Sequence, residues 1–233
     1  MFLPLLSTMA RKSTSGVPEP TLKRLPVYLR YMKKAREQGL LTISAPAMGR
    51  ELQSDPTQVV KDMALAGASG KPRVGYAINE CIHQLESFLG FNKENEAVLV
   101  GAGNLGSALL SYPDFLNYGL KIVAAFDNNP EKLGRTAAGI NVVHMDKFPI
   151  LVEKLQIRIA ILTTPQSIAQ EVSAVLVKCG IRAIWNLTPA RLSVPANVAV
   201  QNTSMYSNVA ILLNKLRQIE NSGSHPDQPI QIH

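Results

Sequence analysis

Three glycines in one short turn constrain this chain more than any other feature of its sequence. Gly101, Gly103 and Gly106 follow the apolar segment 97–100, and a segment of helical character begins at Asn104. In the order strand, G-x-G-x-x-G, helix, the first glycine permits a tight turn and the second lets the main chain approach a diphosphate. The third permits close packing of the helix on the strand. The pattern predicts a dinucleotide-binding fold.

An acidic residue after the next apolar segment strengthens this prediction. Asp127 follows segment 120–126 and stands 21 residues after Gly106. A carboxylate in this place accepts hydrogen bonds from the adenosine ribose and repels a 2′-phosphate. NAD is therefore favoured over NADP, while coenzyme A or another nucleotide stays open. The predicted nucleotide contacts from this motif are Gly101, Ala102, Gly103, Asn104, Leu105, Gly106 and Asp127.

The remainder of this half of the chain alternates between strands and helices. Predicted strands cover 97–100, 120–126, 157–162, 183–186 and 198–201, and predicted helices begin at Asn104 and cover 148–155, 168–179 and 204–219. Nearly continuous apolar strands separated by helices indicate a parallel sheet that is covered on both faces. The fold class predicted here is α/β, with a Rossmann-type doubly wound parallel sheet.

The N-terminal third predicts a winged helix-turn-helix. A basic amphipathic helix covers 20–38, and Ser44 is a suitable N-cap for a second short helix. Asp55 precedes a third helix as its N-cap, and Gln58 approximates a capping box with it. The glycine-rich segment 67–76 predicts a small hairpin. A fourth helix over 78–89 is predicted to connect the two halves of the chain.

The third helix and the hairpin are the predicted DNA-reading elements. If Val59, Val60 and Met63 face the small core, the polar residues Thr57, Gln58 and Lys61 point outward near the helix N-terminus. That end of the recognition helix contacts base edges in helix-turn-helix proteins. The hairpin tip suits phosphates or a minor groove. The predicted DNA contacts are Lys23, Arg24, Thr57, Gln58, Lys61, Lys71 and Arg73.

Charge and cysteine usage agree with a DNA-binding protein of the cytoplasm. Of the net charge of +7, residues 1–90 contribute 12 Lys+Arg against 7 Asp+Glu, and the remainder contributes 12 against 10. Such an excess attracts polyanions without identifying one. Cys81 and Cys179 lack metal-ligand spacing and are expected to be reduced thiols. The apolar run within residues 1–16 is too short for the core of a signal peptide and has no basic region before it, so secretion is not expected. No apolar stretch reaches the ~18 residues that span a bilayer, so no membrane partner is expected.

A catalytic site is not predicted. A dehydrogenase needs a second region that holds its substrate and supplies a general acid or base beside the nicotinamide. The residues after Asp127 are used up by the second half of the sheet, the last helix and the tail. Of the four histidines, only His144, predicted in a loop, merits a test. No metal ligands are predicted.

Several of these segments together resemble the Rex family of bacterial redox-sensing transcriptional repressors, from about Val17 to Ile219. The residues that carry the resemblance are Pro20–Pro26, Gln58–Asp62, Gly70–Tyr76, Gly101–Gly106, Ala108, Tyr112, Pro113, Phe126, Asp127 and Pro130–Lys132. The resemblance implies a homodimer in which the terminal helix of each subunit crosses onto the other. It also implies two winged helices that bind an inverted-repeat operator and are released by NADH, with NAD+ as a weak competitor.

The resemblance implies further site residues. Two segments of the family approach the nicotinamide half of the ligand, and they correspond here to Thr163-Thr164-Pro165 and to the segment that begins at Asn186. Tyr112 matches a tyrosine that pairs with an aspartate at the start of the swapped helix, where this chain has Ser204. Val60 stands where many members have Arg.

The expected organisation has five parts. It comprises a disordered arm 1–16, a winged-helix domain 17–90, a Rossmann NAD(H)-binding domain 91–203, a swapped dimerisation helix 204–220 and a flexible tail 221–233. Three functions stay open: a redox-sensing repressor, a small NAD-dependent oxidoreductase, and a DNA-binding protein whose nucleotide fold only supports dimerisation. The glycine motif alone supports the second, and the third predicts no nucleotide binding.

Overall fold

The computed structural model describes residues 16–136 and 138–221 of this chain. They form two compact units, with the boundary after Leu89. The arm predicted over 1–16 and the tail predicted over 221–233 lie outside the described residues except for their innermost positions.

The first unit is a helix-turn-helix with a short two-stranded ladder. Its elements are α1 (Glu19–Glu37), β1 (Thr42–Ile43), α2 (Ala45–Leu52), α3 (Pro56–Leu65), β2 (Tyr76–Ala77) and α4 (Ile78–Leu89). Its core is built from fully buried apolar side chains of all four helices, which include Leu25, Met32, Met48, Val59, Met63 and Leu85. The bounds of α4 are those that the sequence predicts.

Side-chain caps fix where α2 and α3 begin. The Ser44 hydroxyl accepts the N–H of Ala47, and the Asp55 carboxylate accepts the N–H groups of Thr57 and Gln58. These bonds satisfy donors that have no partner inside a helix. The second half of the predicted capping box is wrong, because the Gln58 amide donates forward to Asp62 at 2.9 Å.

A buried carboxylate joins α1 to α3. Asp62 is 0% exposed and accepts hydrogen bonds from four side chains. These are Thr21 at 2.9 Å, Arg24 at 2.6 and 2.9 Å, Tyr28 at 3.0 Å and Gln58 at 2.9 Å. We call these five residues the Asp62 cluster. Burial alone would raise the pKa of Asp62, but the donors around it hold that pKa below its usual value.

One prediction about this unit is wrong, and another is confirmed only in part. Val60, predicted in the core, is 47% exposed, because Asp62 and not Val60 takes an inward position on α3. The predicted hairpin over 67–76 is limited to one tight turn, in which Lys71 and Gly75 form a single antiparallel bridge. Its last residues form β2, which pairs antiparallel with β1, a strand far away in the sequence.

The second unit is a seven-stranded sheet covered by helices. Its strands are β3 (Asn95–Val100), β4 (Leu120–Asp127), β5 (Gly134–Arg135), β6 (Asn141–His144), β7 (Ile159–Leu162), β8 (Ala183–Asn186) and β9 (Ala199–Asn202). Its helices are α5 (Asn104–Leu110), α6 (Phe148–Leu155), α7 (Gln166–Lys178) and α8 (Met205–Asn221). The sheet order is β5-β6-β4-β3-β7-β8-β9, and only β5 runs antiparallel to its neighbour. This is the strand order of a Rossmann fold.

Apolar residues on both faces of the central strands form two cores. Val98, Val100 and Phe126 pack with Phe148 on one face, while Leu99 belongs to the cluster on the other. The strand β6 is absent from the sequence prediction, which places His144 in a loop. His144 is instead the last residue of β6, and its Nδ1 accepts the N–H of Asp146 at 3.3 Å.

The helix α8 exposes every one of its residues, apolar ones included. Its N-terminus is capped by Ser204, whose hydroxyl accepts the N–H of Ser207 at 3.1 Å. Both cysteines are free thiols. Within residues 16–136 and 138–221, no helix is both long enough and apolar enough to cross a bilayer.

The Asp62 cluster predicts an acid-sensitive stability. The folded-state pKa of Asp62 is lowered, so its contribution is fully present above about pH 4, the ordinary pKa of Asp, and is lost as the pH falls through the folded-state pKa. We expect Asp62→Asn to lower the free energy of unfolding by ~2–3 kcal/mol at pH 7 and to flatten its dependence on acid pH. Urea denaturation between pH 3 and 7 measures both effects.

The control is Glu80→Gln, which removes an exposed carboxylate from the same unit. It should change stability at pH 7 by less than about 0.5 kcal/mol. Equal effects of the two substitutions would refute the role given to Asp62.

Candidate functional site

The crevice in the second unit lies where the strand order changes direction. β3 is the first strand of this unit along the chain and sits between β4 and β7, so the connections after it lead to opposite sides of the sheet. In doubly wound sheets a ligand binds outside the carboxyl ends of the strands at this point. The main chain continues from these strand ends into the glycine turn, Asp127 and Thr163.

The glycine turn is held by contacts that leave no room for side chains at two of its three glycines. Gly101 has φ +101°, and a Cβ there would lie 2.8 Å from the carbonyl carbon of Thr163. A Cβ on Gly106 would overlap the carbonyl oxygen of Gly101. Gly103 differs, because a Cβ there would meet nothing within 4 Å. The middle glycine therefore faces open space, on the side where a ligand would approach.

Asp127 braces the turn from the end of β4. Its Oδ2 accepts the N–H of Ala102 at 2.7 Å, and its Oδ1 accepts the N–H of Asn129 at 2.8 Å. Lys132 Nζ lies 3.3 Å from Oδ2. Burial would raise the pKa of Asp127, but the bonds from Asn129, Lys132 and Ala102 lower it. The group is therefore a carboxylate at neutral pH, and Lys132 is a site neighbour that the motif alone does not indicate.

The loop after β7 closes the other side of the crevice. The Thr163 hydroxyl donates a hydrogen bond to the carbonyl of Gly101 at 2.6 Å. The main-chain N–H of Thr163 donates to the carbonyl of Val100 at 2.9 Å. The neighbouring Thr164 Oγ1 is buried and has no hydrogen-bond partner among the described residues. Pro165 is the N-cap residue of α7. The structure thus brings Thr163 against the glycine turn, as the crevice requires.

Asn186 holds the segment after β8 instead of presenting a free amide. Its Nδ2 donates to Ala190 and to Asn202 Oδ1, each at 2.8 Å. Its Oδ1 accepts from the N–H and the hydroxyl of Thr188, at 3.1 and 2.7 Å. These bonds use both donors and two acceptor positions of the amide. Asn186 therefore shapes the loop, and Asn202 is a partner that sequence spacing did not indicate.

Tyr112 lies outside this group of contacts. It is 51% exposed, and its ring packs edge-on against Phe115, with centroids 5.1 Å apart. The nearby Asp114 carboxylate raises the pKa of the Tyr112 hydroxyl. Ser204, at the position where the resemblance implies an aspartate partner for this tyrosine, instead caps α8.

The candidate nucleic-acid face lies on the first unit. Thr57 and Lys61 are exposed on α3 as predicted, and Lys71 and Arg73 are exposed in the loop before β2. Arg73 has φ +63°, a left-handed conformation uncommon for a residue with a side chain. Such backbone strain clusters at functional sites.

The other three predicted DNA contacts are engaged within the protein. Lys23 pairs with Glu19 at 2.9 Å on the exposed side of α1. Arg24 and Gln58 both donate to Asp62. These two side chains are half-buried, so they support α3 from inside the unit.

Comparisons with known proteins agree with both sites. The family model described as "Putative DNA-binding protein N-terminus" matches residues 16–64, and the one described as "CoA binding domain" matches residues 92–190. The redox-sensing transcriptional repressor Rex of Bacteroides fragilis is 42% identical over 205 residues, which are 88% of this chain and 93% of that protein.

The chain belongs to the Rex family. The Rex proteins of Porphyromonas gingivalis and Treponema denticola are 38% and 42% identical, over 92% and 83% of this chain and 100% and 92% of their own lengths. All three relatives are described as transcriptional repressors, so this Rex chain is grouped with regulators and not with enzymes. The predicted resemblance is confirmed.

Solved structures of Rex repressors share the whole fold. RSP in complex with β-NAD+ and operator DNA is 28% identical, with a TM-score of 0.84 over 90% of this chain and 96% of that one. RSP in complex with β-NADH is 28% identical, with a TM-score of 0.78 over 89% of this chain and 97% of that one. The predicted fold class is confirmed for this Rex chain.

The glycine geometry predicts opposite outcomes for two similar substitutions. Gly106→Ala places a methyl group against a fixed carbonyl, so we expect a loss of ~2 kcal/mol or more in stability. Gly103→Ala should stay within about 0.5 kcal/mol of the wild type, because its methyl group meets open space. Thermal unfolding of both variants without ligand measures the difference. A Gly103→Ala variant as unstable as Gly106→Ala would contradict this description of the turn.

Proposed function

We propose that this chain is a redox-sensing transcriptional repressor. It binds operator DNA as a homodimer and is released when NADH occupies the crevice of its second unit. The relatives' description as redox-sensing repressors supports the activity, and the RSP complexes with NAD+, NADH and operator DNA support the ligands. Since a bacterial repressor binds the chromosome, we place its action in the cytoplasm.

The proposal depends most on the open main chain at Gly103. This residue lies at the carboxyl end of a Rossmann sheet, in a chain that also contains a helix-turn-helix. In this position the N–H groups at the start of α5 are available to diphosphate oxygens. Asp127 accepts hydrogen bonds from the adenosine ribose hydroxyls. Its carboxylate either gives up the hydrogen bond from the N–H of Ala102 or accepts that bond and a ribose hydroxyl together. Thr163, Thr164 and Pro165 line the nicotinamide side, where the unpartnered Thr164 hydroxyl offers a hydrogen bond.

The DNA contacts that the structure favours are fewer than the sequence predicted. Thr57 and Lys61 on α3, with Lys71 and Arg73 in the loop, form the direct contact set, and Lys23 adds charge for phosphates. Arg24 and Gln58 act through Asp62 by fixing α3 on α1. Asn186 likewise acts through the loop that it holds, and Tyr112 is kept as a ligand contact on the resemblance to the Rex family alone.

The domain assignment follows the same division. Residues 17–90 bind DNA, residues 91–203 bind the dinucleotide, and helix 204–220 exchanges between subunits. The exposed apolar side of α8, with Val209, Leu212 and Leu216, supports this last part. Burial of such a side in a dimer contributes about 25 cal/mol per Å² of apolar surface.

Regulation needs no hydride transfer. NADH only has to bind one arrangement of the dimer more tightly than the arrangement that fits the operator, and linkage then makes the two ligands antagonists. No residue of this crevice is assigned as an acid, a base or a nucleophile, and His144 is occupied in capping the turn after β6. The oxidoreductase alternative therefore rests on the glycine motif alone.

The main test is a binding titration on DNA. Duplexes selected from a random pool by the chain itself supply the operator, and fluorescence anisotropy then follows binding at one fixed salt concentration, because phosphate contacts make the affinity depend steeply on salt. We expect NADH to release the DNA at a lower concentration than NAD+. Equal effects of the two nucleotides would contradict redox sensing.

Two further arms separate the alternatives. Release by coenzyme A instead of NADH would reassign the crevice in line with the name of the matching family model. Calorimetry that detects no binding of NADH or NAD+ would favour the scaffold alternative. The matched variant is Gly103→Val, which keeps DNA binding and loses the response to NADH, because its side chain takes the place of the diphosphate.

Asp127 and Lys132 give a prediction about ligand choice. We expect Asp127→Ala to weaken NADH binding about tenfold or more, because a charged hydrogen bond to ribose is lost. In the wild type, Lys132 lies 3.3 Å from Asp127. In the variant, the freed Lys132 should pair with the 2′-phosphate of NADPH and raise the affinity for NADPH. Calorimetry with both nucleotides measures the change.

The control for this prediction is the double variant Asp127→Ala, Lys132→Ala. It should keep the loss for NADH and remove the gain for NADPH. If the preference for NADH over NADPH is the same in the single variant and the wild type, Asp127 does not select the ligand.

A further inference from the structure

The exposed side of α3 has a composition that the proposed function does not explain. After Pro56, the first residue of α3, the exposed residues of this helix are Thr57, Val60, Lys61, Ala64 and Leu65. Successive helical residues are separated by about 100°, so these five occupy one continuous arc of about 140°. We call this arc the reading side of α3. It holds one cation and one hydroxyl, and the other three side chains are apolar.

Val60 is the unusual member of the reading side. It is 47% exposed in the N-terminal half of α3, the half that reaches base edges in helix-turn-helix proteins. A β-branched residue is a weaker helix former than alanine, and Val60 is not buried in the core of its unit. Neither helix formation nor core packing therefore accounts for a valine here.

The Asp62 cluster fixes which way Val60 points. Asp62 lies two positions after Val60 and is anchored to Arg24 and Tyr28 of α1. These bonds fix the rotation of α3 about its own axis. A rotation by one residue would carry Asp62 away from Arg24 and Tyr28 and leave those donors without their acceptor. Val60 is consequently held outward, together with Thr57 and Ala64 on neighbouring parts of the arc.

Base pairs offer one apolar group in the major groove, the C5-methyl of thymine. Side chains that recognise it are apolar, such as those of alanine or the methyl of threonine. Guanine and adenine are recognised by Arg, Lys, Asn or Gln instead. Lys61 is the one such side chain on the reading side, since Gln58 is turned toward Asp62.

We propose that Val60 is a specificity-determining residue that packs on the C5-methyl of a thymine in each operator half-site, with Ala64 beside it. This inference rests on the proposed function, because it requires α3 to lie in the major groove. It adds that the half-site has a thymine opposite Val60 and that this thymine is recognised by its methyl group, without a hydrogen bond.

The experiment replaces thymine by uracil, which removes the methyl group alone. In the operator selected by the wild-type chain, each thymine is replaced in turn, in both half-sites together, and binding is measured without nucleotide at fixed salt. One symmetric pair of thymines should be sensitive, with affinity falling about fourfold for each buried methyl group that is lost. Val60→Ala should weaken binding to the thymine operator and be insensitive to uracil at that pair, which is coupling in a double-mutant cycle.

Leu65→Ala is the matched control. Leu65 is 49% exposed on the same arc but is the last residue of α3, so this variant should keep the wild-type response to uracil. If Val60→Ala responds to every uracil as the wild type does, the Val60 assignment is overturned while the proposed function stands. A chain that enriches no DNA sequence at all overturns both.

Discussion

The close approach of main chain to main chain at the glycine turn is the constraint on which the second unit depends. Gly106 packs directly on the carbonyl of Gly101, and Gly101 packs on Thr163 after the neighbouring strand β7. Neither position has room for a methyl group, and this close contact holds the start of α5 against the end of β3. Gly103 alone is free of such contacts. Two of the glycines therefore close the fold, and the third leaves the open space in which we propose that a diphosphate binds.

The Asp62 cluster has the corresponding place in the first unit. A carboxylate with no exposure to water is costly unless it is paired and hydrogen-bonded, and Asp62 meets this condition with donors from α1 and α3. The same bonds withdraw Arg24 and Gln58 from the surface and leave Lys61 and Val60 on it. One buried charge thereby determines which side chains lie on the surface of this unit, and under the proposed function those are the side chains that would contact DNA.

The features of the fold and of the two sites that the sequence predicts are those that a short stretch of residues determines. The glycine motif, the caps at Ser44 and Asp55, and the apolar stripe of α4 are local patterns, and the structure has them where the sequence indicated. The strand β6 was missed because only two of its four residues are apolar, so it gives neither a continuous apolar run nor a periodic pattern. Val60 was assigned to the core because it is apolar, whereas the inward position belongs to Asp62, whose partner Thr21 lies 41 residues away. The saturated amide of Asn186 and the pairing of Lys132 with Asp127 likewise depend on tertiary contacts.

A crystal structure of the chain with NADH tests most directly whether the dinucleotide binds at the glycine turn. The diphosphate should lie against the main chain between Gly101 and Gly106 and accept hydrogen bonds from N–H groups at the start of α5, and the adenosine ribose should lie on Asp127. Density for NADH at any other place on the protein, or a compound of unrelated chemistry in this crevice, would contradict this placement.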